Sequence, residues 1–78
     1  PQLLKNVRYQ GENPLNHETI QRSIDQADNA LGSRGRILVR PSGTEKLIRV
    51  MVEGEDEAEI ASLAEGICQA IAAREAVA

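Results

Sequence analysis

The sequence predicts an α+β domain. Its sheet is antiparallel with three or four strands, two helices pack on one face, and the chain order is strand, helix, strand, strand, helix. Three observations carry that prediction. Apolar residues recur at helical spacing in two separate stretches, Ile20 to Leu31 and Ile60 to Ile71. Two aliphatic runs, Ile37-Leu38-Val39 and Leu47 to Val52, are separated by a short polar segment that suits a hairpin. An N-terminal segment alternates in the strand manner, and two amphipathic helices need one apolar sheet face to cover.

The first strand spans Leu3 to Tyr9. Leu3, Val7 and Tyr9 fall on one face, with Lys5 interrupting it, while Leu4, Asn6 and Arg8 face the other way. Gln10 to Pro14 is a turn-rich connection. Asn16 is the expected N-cap of the first helix, with His17 and Glu18 in its first turn. Ile20, Ile24, Ala27 and Leu31 then recur at i, i+4, i+7 and i+11, one helical face, and Gly32 is the expected stop. His17 reads as a surface residue, and a lone histidine makes no metal site.

Ser33 to Gly35 reads as loop, Arg36 to Arg40 as a strand closed by Pro41, and Leu47 to Glu53 as its hairpin partner. Asp56 is placed to cap the second helix with Glu59 at the capping-box position. Ile60, Leu63, Ala64, Ile67 and Ile71 line its buried side, Cys68 reads as a buried structural thiol, and the end is expected to fray from about Arg74. Tyr9 and Met51 read as packing residues.

With 78 residues the chain holds one domain at most, residues 1–78, with a core built from Leu, Ile, Val and Ala. It has one Tyr and no Phe or Trp, which removes aromatic stacking as a binding device. Cys68 is single, so no internal disulfide forms, and a reducing cytoplasm fits. No stretch approaches the roughly 20 apolar residues of a membrane helix, and there is no signal-peptide pattern. The start at Pro1 instead of Met reads as a fragment of a longer protein.

Net charge is −3, against a nucleic-acid module, but the charge is uneven. Arg34, Arg36, Arg40, Lys46 and Arg49 face one acid, Glu45, whereas Glu53, Glu55, Asp56, Glu57, Glu59, Glu65 and Glu75 face Arg74 alone. A cationic patch on an acidic body suits a small anion better than a long polyanion. The segment Arg40-Pro41-Ser42-Gly43-Thr44-Glu45 is the candidate site. Arg40 offers a planar fork, Ser42 and Thr44 offer hydroxyls, and Gly43 offers an amide that can be approached closely. From composition alone, an ordinary hairpin tip and two solvated faces of unequal charge explain the same residues.

Arg40-Pro41-Ser42-Gly43-Thr44-Glu45, followed by Leu47-Ile48-Arg49-Val50-Met51-Val52-Glu53, resembles the C-terminal domain of the α-D-phosphohexomutases. Within that superfamily it most resembles the bacterial phosphoglucosamine mutase branch, and the similarity covers essentially the whole chain. Members usually carry proline where this chain has Lys46, which frees a backbone N–H and loosens the loop exit. The resemblance implies a TATA-binding-protein-like fold and a substrate-phosphate clamp made by Arg40, Ser42, Gly43, Thr44 and Arg49. It implies a parent enzyme that interconverts glucosamine 6-phosphate and glucosamine 1-phosphate through a bisphosphorylated sugar. An active-site phosphoserine and Mg²⁺ would then lie in other domains, and this piece alone would hold no catalytic residue, no metal and no cofactor. The expected partners are a sugar phosphate and the other domains of the parent chain, with no nucleic acid and no membrane. Glu45, whose charge repels phosphate, is expected to orient an arginine or cap the turn. Two alternatives stand beside this: the matching domain of a phosphomannomutase or phosphoglucomutase, and a non-catalytic module binding RNA or another anion or an acidic partner.

Overall fold

The computed structural model describes residues 1–77, with the backbone alone for Glu75, Ala76 and Val77. Strands β1 (Gln2–Arg8), β2 (Gly35–Pro41) and β3 (Leu47–Gly54) form the sheet, and helices α1 (Glu18–Leu31) and α2 (Glu57–Val77) cover it. The expected three or four strands are three, in the spatial order β1-β3-β2, with both pairings antiparallel. The last strand therefore sits in the middle, and the N-terminal strand pairs with it from the far side.

Register divides the residues between two faces. Rows Leu3–Val52–Ile37, Lys5–Val50–Val39 and Val7–Ile48–Pro41 run across the sheet in one set. Ile48, Val50 and Val52 are wholly buried there, against Ile20, Ala27 and Leu31 of α1 and Ile60, Ala64, Ile67 and Ile71 of α2. Tyr9 and Leu63 pack against the same core at partial burial. Lys5 interrupts this face as expected, and its stem carries the ammonium to Glu65 Oε2 of α2 at 2.9 Å. Cys68, expected to be buried, is only partly covered beside that pair, and its burial pushes the thiol pKa up.

The helix ends depart from expectation in small, explicable ways. Asn16 does not cap α1. Asn13 instead caps a 3₁₀ turn, Pro14–Asn16, by accepting the Leu15 N–H at 2.9 Å. Pro14 opens that turn and Asn16 is used up inside it, its N–H donating to the Asn13 carbonyl at 3.2 Å, so His17 becomes the cap without a side-chain bond. Gly32, at φ 56°, ends α1 as expected. The chain then winds a second 3₁₀ turn, Gly32–Arg34, where loop was expected.

Asp56 does cap α2, its Oδ1 accepting the Ala58 N–H at 2.9 Å and the Glu59 N–H at 3.4 Å. Glu59 does not return the favour. Its carboxylate meets the Arg34 guanidinium at 2.6 and 2.9 Å. A cation fork outcompetes one backbone N–H for a carboxylate, and the pair straps α2 to the turn after α1. Gly54 lets these ends close, because a Cβ there would press on Ile60 Cγ2 at 2.9 Å and Leu31 Cδ2 at 3.4 Å. α2 continues to Val77; the expected fraying from about Arg74 falls on the end of the chain, where Ala78 lies outside the described residues.

Candidate functional site

β2 and β3 run into the segment 42–46, the polar tip singled out in the sequence. The Ser42 N–H donates to the Leu47 carbonyl at 2.8 Å, which adds one more rung to the hairpin. The Leu47 N–H donates to the Glu45 carbonyl at 2.9 Å and folds the chain tightly back into β3. The Thr44 N–H lies 3.5 Å from Ser42 Oγ, at the limit of a hydrogen bond. Gly43 has no positive φ, and a Cβ there would meet nothing within 4 Å. Nothing inside the chain therefore demands glycine at this position.

The loop exit, expected to be loose for want of a proline, is tied at two points. The Tyr9 N–H donates to the Lys46 carbonyl at 3.1 Å, and Lys46 Nζ donates to the Gly11 carbonyl at 3.2 Å. Both bonds reach the connection after β1, so β1 and the loop are joined.

The second feature lies on the sheet face away from the helices. Arg40 of β2 and Arg49 of β3 are direct cross-strand partners, and Asn6 of β1 completes the row. Both arginines are exposed. Like charges placed directly opposite each other on a sheet destabilise it by roughly 0.2–1 kcal/mol. Acids relieve such repulsion elsewhere in the chain. Arg34 is held by Glu59, which keeps its pKa above the ordinary arginine value, and Arg36 meets Glu53 at 3.3 Å. Lys46 is engaged with Gly11. Among the described residues Arg40 and Arg49 have neither an ion pair nor a hydrogen bond to an acid, so the broad cationic stretch of the sequence narrows to this pair.

The structure also brings in Arg8, which the sequence did not single out. It sits opposite Leu47 on the same face, and its Nη2 lies 3.9 Å from Glu45 Oε2, with both side chains more than half exposed. Glu45 was expected to orient an arginine or cap the turn, and Arg8 is the arginine within its reach. Arg8 could not be placed from the chain alone, because its nearness to the loop depends on β1 pairing with a strand some forty residues away. Ser42, Gly43 and Thr44 cluster at the tip, and Arg40 and Arg49 form the row beneath it. The arrangement can present two guanidinium forks, loop hydroxyls and the Gly43 N–H to an anion. It offers no nucleophile with an adjacent base. No three of His, Cys, Asp or Glu come together as metal ligands would among the described residues. No helix there is long and apolar enough to cross a membrane.

Comparison with known proteins agrees with the sequence resemblance. Residues 4–70 match the family described as phosphoglucomutase/phosphomannomutase, C-terminal domain. The chain is 49% identical over 73 residues to a phosphoglucosamine mutase of Erythrobacter litoralis, covering 94% of this chain and 16% of that protein. It is 53% identical over 75 residues to a phosphoglucosamine mutase of Escherichia coli, covering 94% of this chain and 17% of the relative. A solved structure of the Aspergillus fumigatus N-acetylphosphoglucosamine mutase, in complex with GlcNAc-6P and magnesium, shares the fold. It superposes with a TM-score of 0.71 at 24% identity, over 96% of this chain and 16% of that one. The chain thus spans about a sixth of the length of the relatives it matches.

Proposed function

The chain belongs to the family of phosphoglucomutase/phosphomannomutase C-terminal domains, and from that membership we propose that it is the phosphate-holding domain of a phosphoglucosamine mutase. The parent enzyme would interconvert glucosamine 6-phosphate and glucosamine 1-phosphate. A phosphoserine elsewhere in the parent gives its phosphoryl group to the sugar, and the resulting bisphosphate returns its other phosphoryl group to serine. The net change is a shift of phosphate between two hydroxyls, with no group gained or lost.

Such a reaction needs one phosphate held while the other reacts. The observation that carries this reading is the Arg40–Arg49 pair, unrelieved by any acid among the described residues and set beside the Ser42–Lys46 loop. A phosphate dianion between the two forks replaces repulsion by charge-assisted bonds, each contributing roughly 1.5–3 kcal/mol. Ser42, Thr44 and the Gly43 N–H supply neutral donors, and their binding energy orients the sugar for attack at its far end. The intermediate must then leave the clamp, turn and return, so the grip is useful only if it is reversible.

No step assigned to the residues of this domain passes through a metal. Magnesium, bound in the Aspergillus relative, would serve at the phosphoserine in the parent's other domains. A reducing cytoplasmic setting goes with the free Cys68.

Titration of the chain with glucosamine 6-phosphate, followed by amide NMR, tests the clamp. Shifts centred on residues 40–49 support it, and shifts confined to α1 or the far ends of the strands refute it. Turnover of glucosamine, glucose and mannose phosphates by the parent enzyme would decide the sugar.

A further inference from the structure

The exit of the tip carries a tie that the clamp itself does not use. Strand pairing of β1 with β3 ends at Arg8 opposite Leu47. One step further the Tyr9 N–H donates to the Lys46 carbonyl at 3.1 Å, so the ladder continues into the loop. Beyond Tyr9 the chain turns at Gly11, whose φ of 72° lies in the left-handed region that other residues rarely adopt. The Lys46 ammonium donates to the carbonyl of that glycine at 3.2 Å, across 35 positions of sequence.

Lys46 is thus held by its backbone and by its side chain, to two residues of one connection. Its own backbone is bent tightly. The Leu47 N–H donates to the Glu45 carbonyl at 2.9 Å, an i to i+2 bond with Lys46 at its centre. Among the described residues only glycines have positive φ, so this is the inverse form of the turn, whose central φ is about −75°.

We infer that Lys46 is a positioning residue: its ammonium, seated on the Gly11 carbonyl, fixes segment 42–46 against the connection after β1 and does not itself touch the ligand. That this segment holds a phosphate rests on the clamp proposed above; the tie does not. Placement separates Lys46 from the anion donors in two directions. Alternation along β3 puts position 46 with Ile48 and Val50, on the side of the sheet opposite Arg49. Its ladder partner Tyr9 packs against the core on that same side. The strand order β1-β3-β2 puts β1 beyond β3, so an ammonium on Gly11 is drawn away from β2, which carries Arg40 and leads into Ser42.

The tie has a consequence for binding. Ser42, Gly43 and Thr44 offer donors from consecutive residues of an exposed tip, and ordering them at the moment of binding costs affinity. A loop already fixed at its exit avoids part of that cost. The contribution therefore sits in KM and not in kcat. Any other restraint on the same backbone should serve equally well. Proline fixes φ at about −65°, close to the value this turn requires, and it keeps the carbonyl that Tyr9 bonds.

Hydrogen–deuterium exchange of the full-length enzyme without ligand tests the tie, and kinetics with glucosamine 6-phosphate test its effect on binding. Lys46→Met keeps the length of the side chain and removes the donor. Lys46→Pro removes the donor and the charge but supplies a rigid turn. Lys46→Met should speed exchange in peptides covering 9–12 and 42–47 by about two- to fivefold after correction for intrinsic rates, in scale with one exposed charged contact. Its KM should rise by a similar factor with kcat unchanged. Lys46→Pro should match the unaltered enzyme in both respects. Exchange in Lys46→Met equal to that of the unaltered enzyme overturns the inference. A KM in Lys46→Pro as high as in Lys46→Met overturns it as well, because a ring cannot replace a lysine that binds phosphate. Faster exchange in Lys46→Met with KM unchanged upholds the tie and refutes the phosphate reading, so the two failures are distinguishable.

Discussion

The two faces of one three-stranded sheet follow opposite rules. On the helix-covered face every strand contributes apolar side chains to a dry core, and the one cation, Lys5, is met by Glu65 at 2.9 Å. On the open face two arginines stand opposite each other with no acid paired to them among the described residues, and two leucines are exposed. The covered face obeys the logic of stability: bury apolar area, pair the charge. The open face violates that logic at two adjacent rows. Local violations of folding rules are where function is expected. The difference teaches that the domain's core and its proposed binding residues lie on opposite sides of the same strands, so mutations can separate them.

The sharpest separation is in stability. Ile48→Ala, on the covered face, should destabilise the chain by roughly 2–5 kcal/mol through lost burial and a residual cavity. Leu38→Ala, one strand away on the open face, should change it by no more than about 0.5 kcal/mol. Denaturant unfolding of the two variants measures both. A loss at Leu38 comparable to that at Ile48 would break the comparison, because it would make the open face a core of the isolated domain.

The next effect lies in activity. Arg40→Ala and Arg49→Ala in the full-length enzyme should each lower kcat/KM about tenfold to a hundredfold, the equivalent of roughly 1.5–3 kcal/mol. The same changes should leave unfolding of the isolated chain unaltered, or raise its stability by a few tenths of a kcal/mol as cross-strand repulsion is relieved. Unaltered kinetics would remove the pair from substrate binding, and a large loss of stability would recast it as structural.

A smaller effect sharpens the same face. Glu45 places a negative charge beside the proposed anion site, and Arg8 offsets it across 3.9 Å. Arg8→Gln should raise KM for the sugar phosphate about two- to fivefold, in line with the modest strength of an exposed pair. Glu45→Gln should lower KM, and the double variant should return close to the parent value. If the double variant binds as poorly as Arg8→Gln alone, Arg8 contacts the phosphate directly and the balancing role is wrong.

Much of this contrast was legible in the sequence. Period-two alternation put Leu4, Asn6 and Arg8 on one side of β1 and Arg49 with Met51 on one side of β3. Helical spacing named the buried positions of both helices. What sequence could not supply was register. That Arg40 faces Arg49, that Leu4, Met51 and Leu38 share a row, and that Arg8 reaches the loop all depend on which strand pairs with which and by what offset. The cationic stretch read from composition included Arg34 and Arg36, whose acids Glu59 and Glu53 are 25 and 17 positions distant and become neighbours only in the fold. Caps failed for a more local reason. Asn13, Asn16 and Asp56 are equally good caps by residue type, and Pro14 decided between the first two by starting a 3₁₀ turn.

The smallest expected effect concerns the charge that the covered face does pair. The hydrogen bond from Lys5, then that from Gln69, holds the Glu65 carboxyl below the usual carboxylate range, and Glu65 holds the Lys5 ammonium above the ordinary lysine value. A depressed carboxylate contributes stability that is present above its unfolded pKa, about 4.3, and lost as pH falls through the folded value. A raised ammonium contributes stability that is present below its unfolded pKa, about 10.4, and lost as pH rises through the folded value. Thermal unfolding of the isolated chain and of Glu65→Gln should therefore differ at pH 6–8 and converge below about pH 4. Both groups keep much of their solvent contact, so the difference is slight and shrinks further in high salt. No such acid limb should accompany Arg40→Gln or Arg49→Gln, which have no carboxylate partner to protonate. A gap for Glu65→Gln that persists undiminished at pH 3 would mean that its side chain stabilises by packing and not by charge, and the covered face would then owe nothing to pairing its one cation.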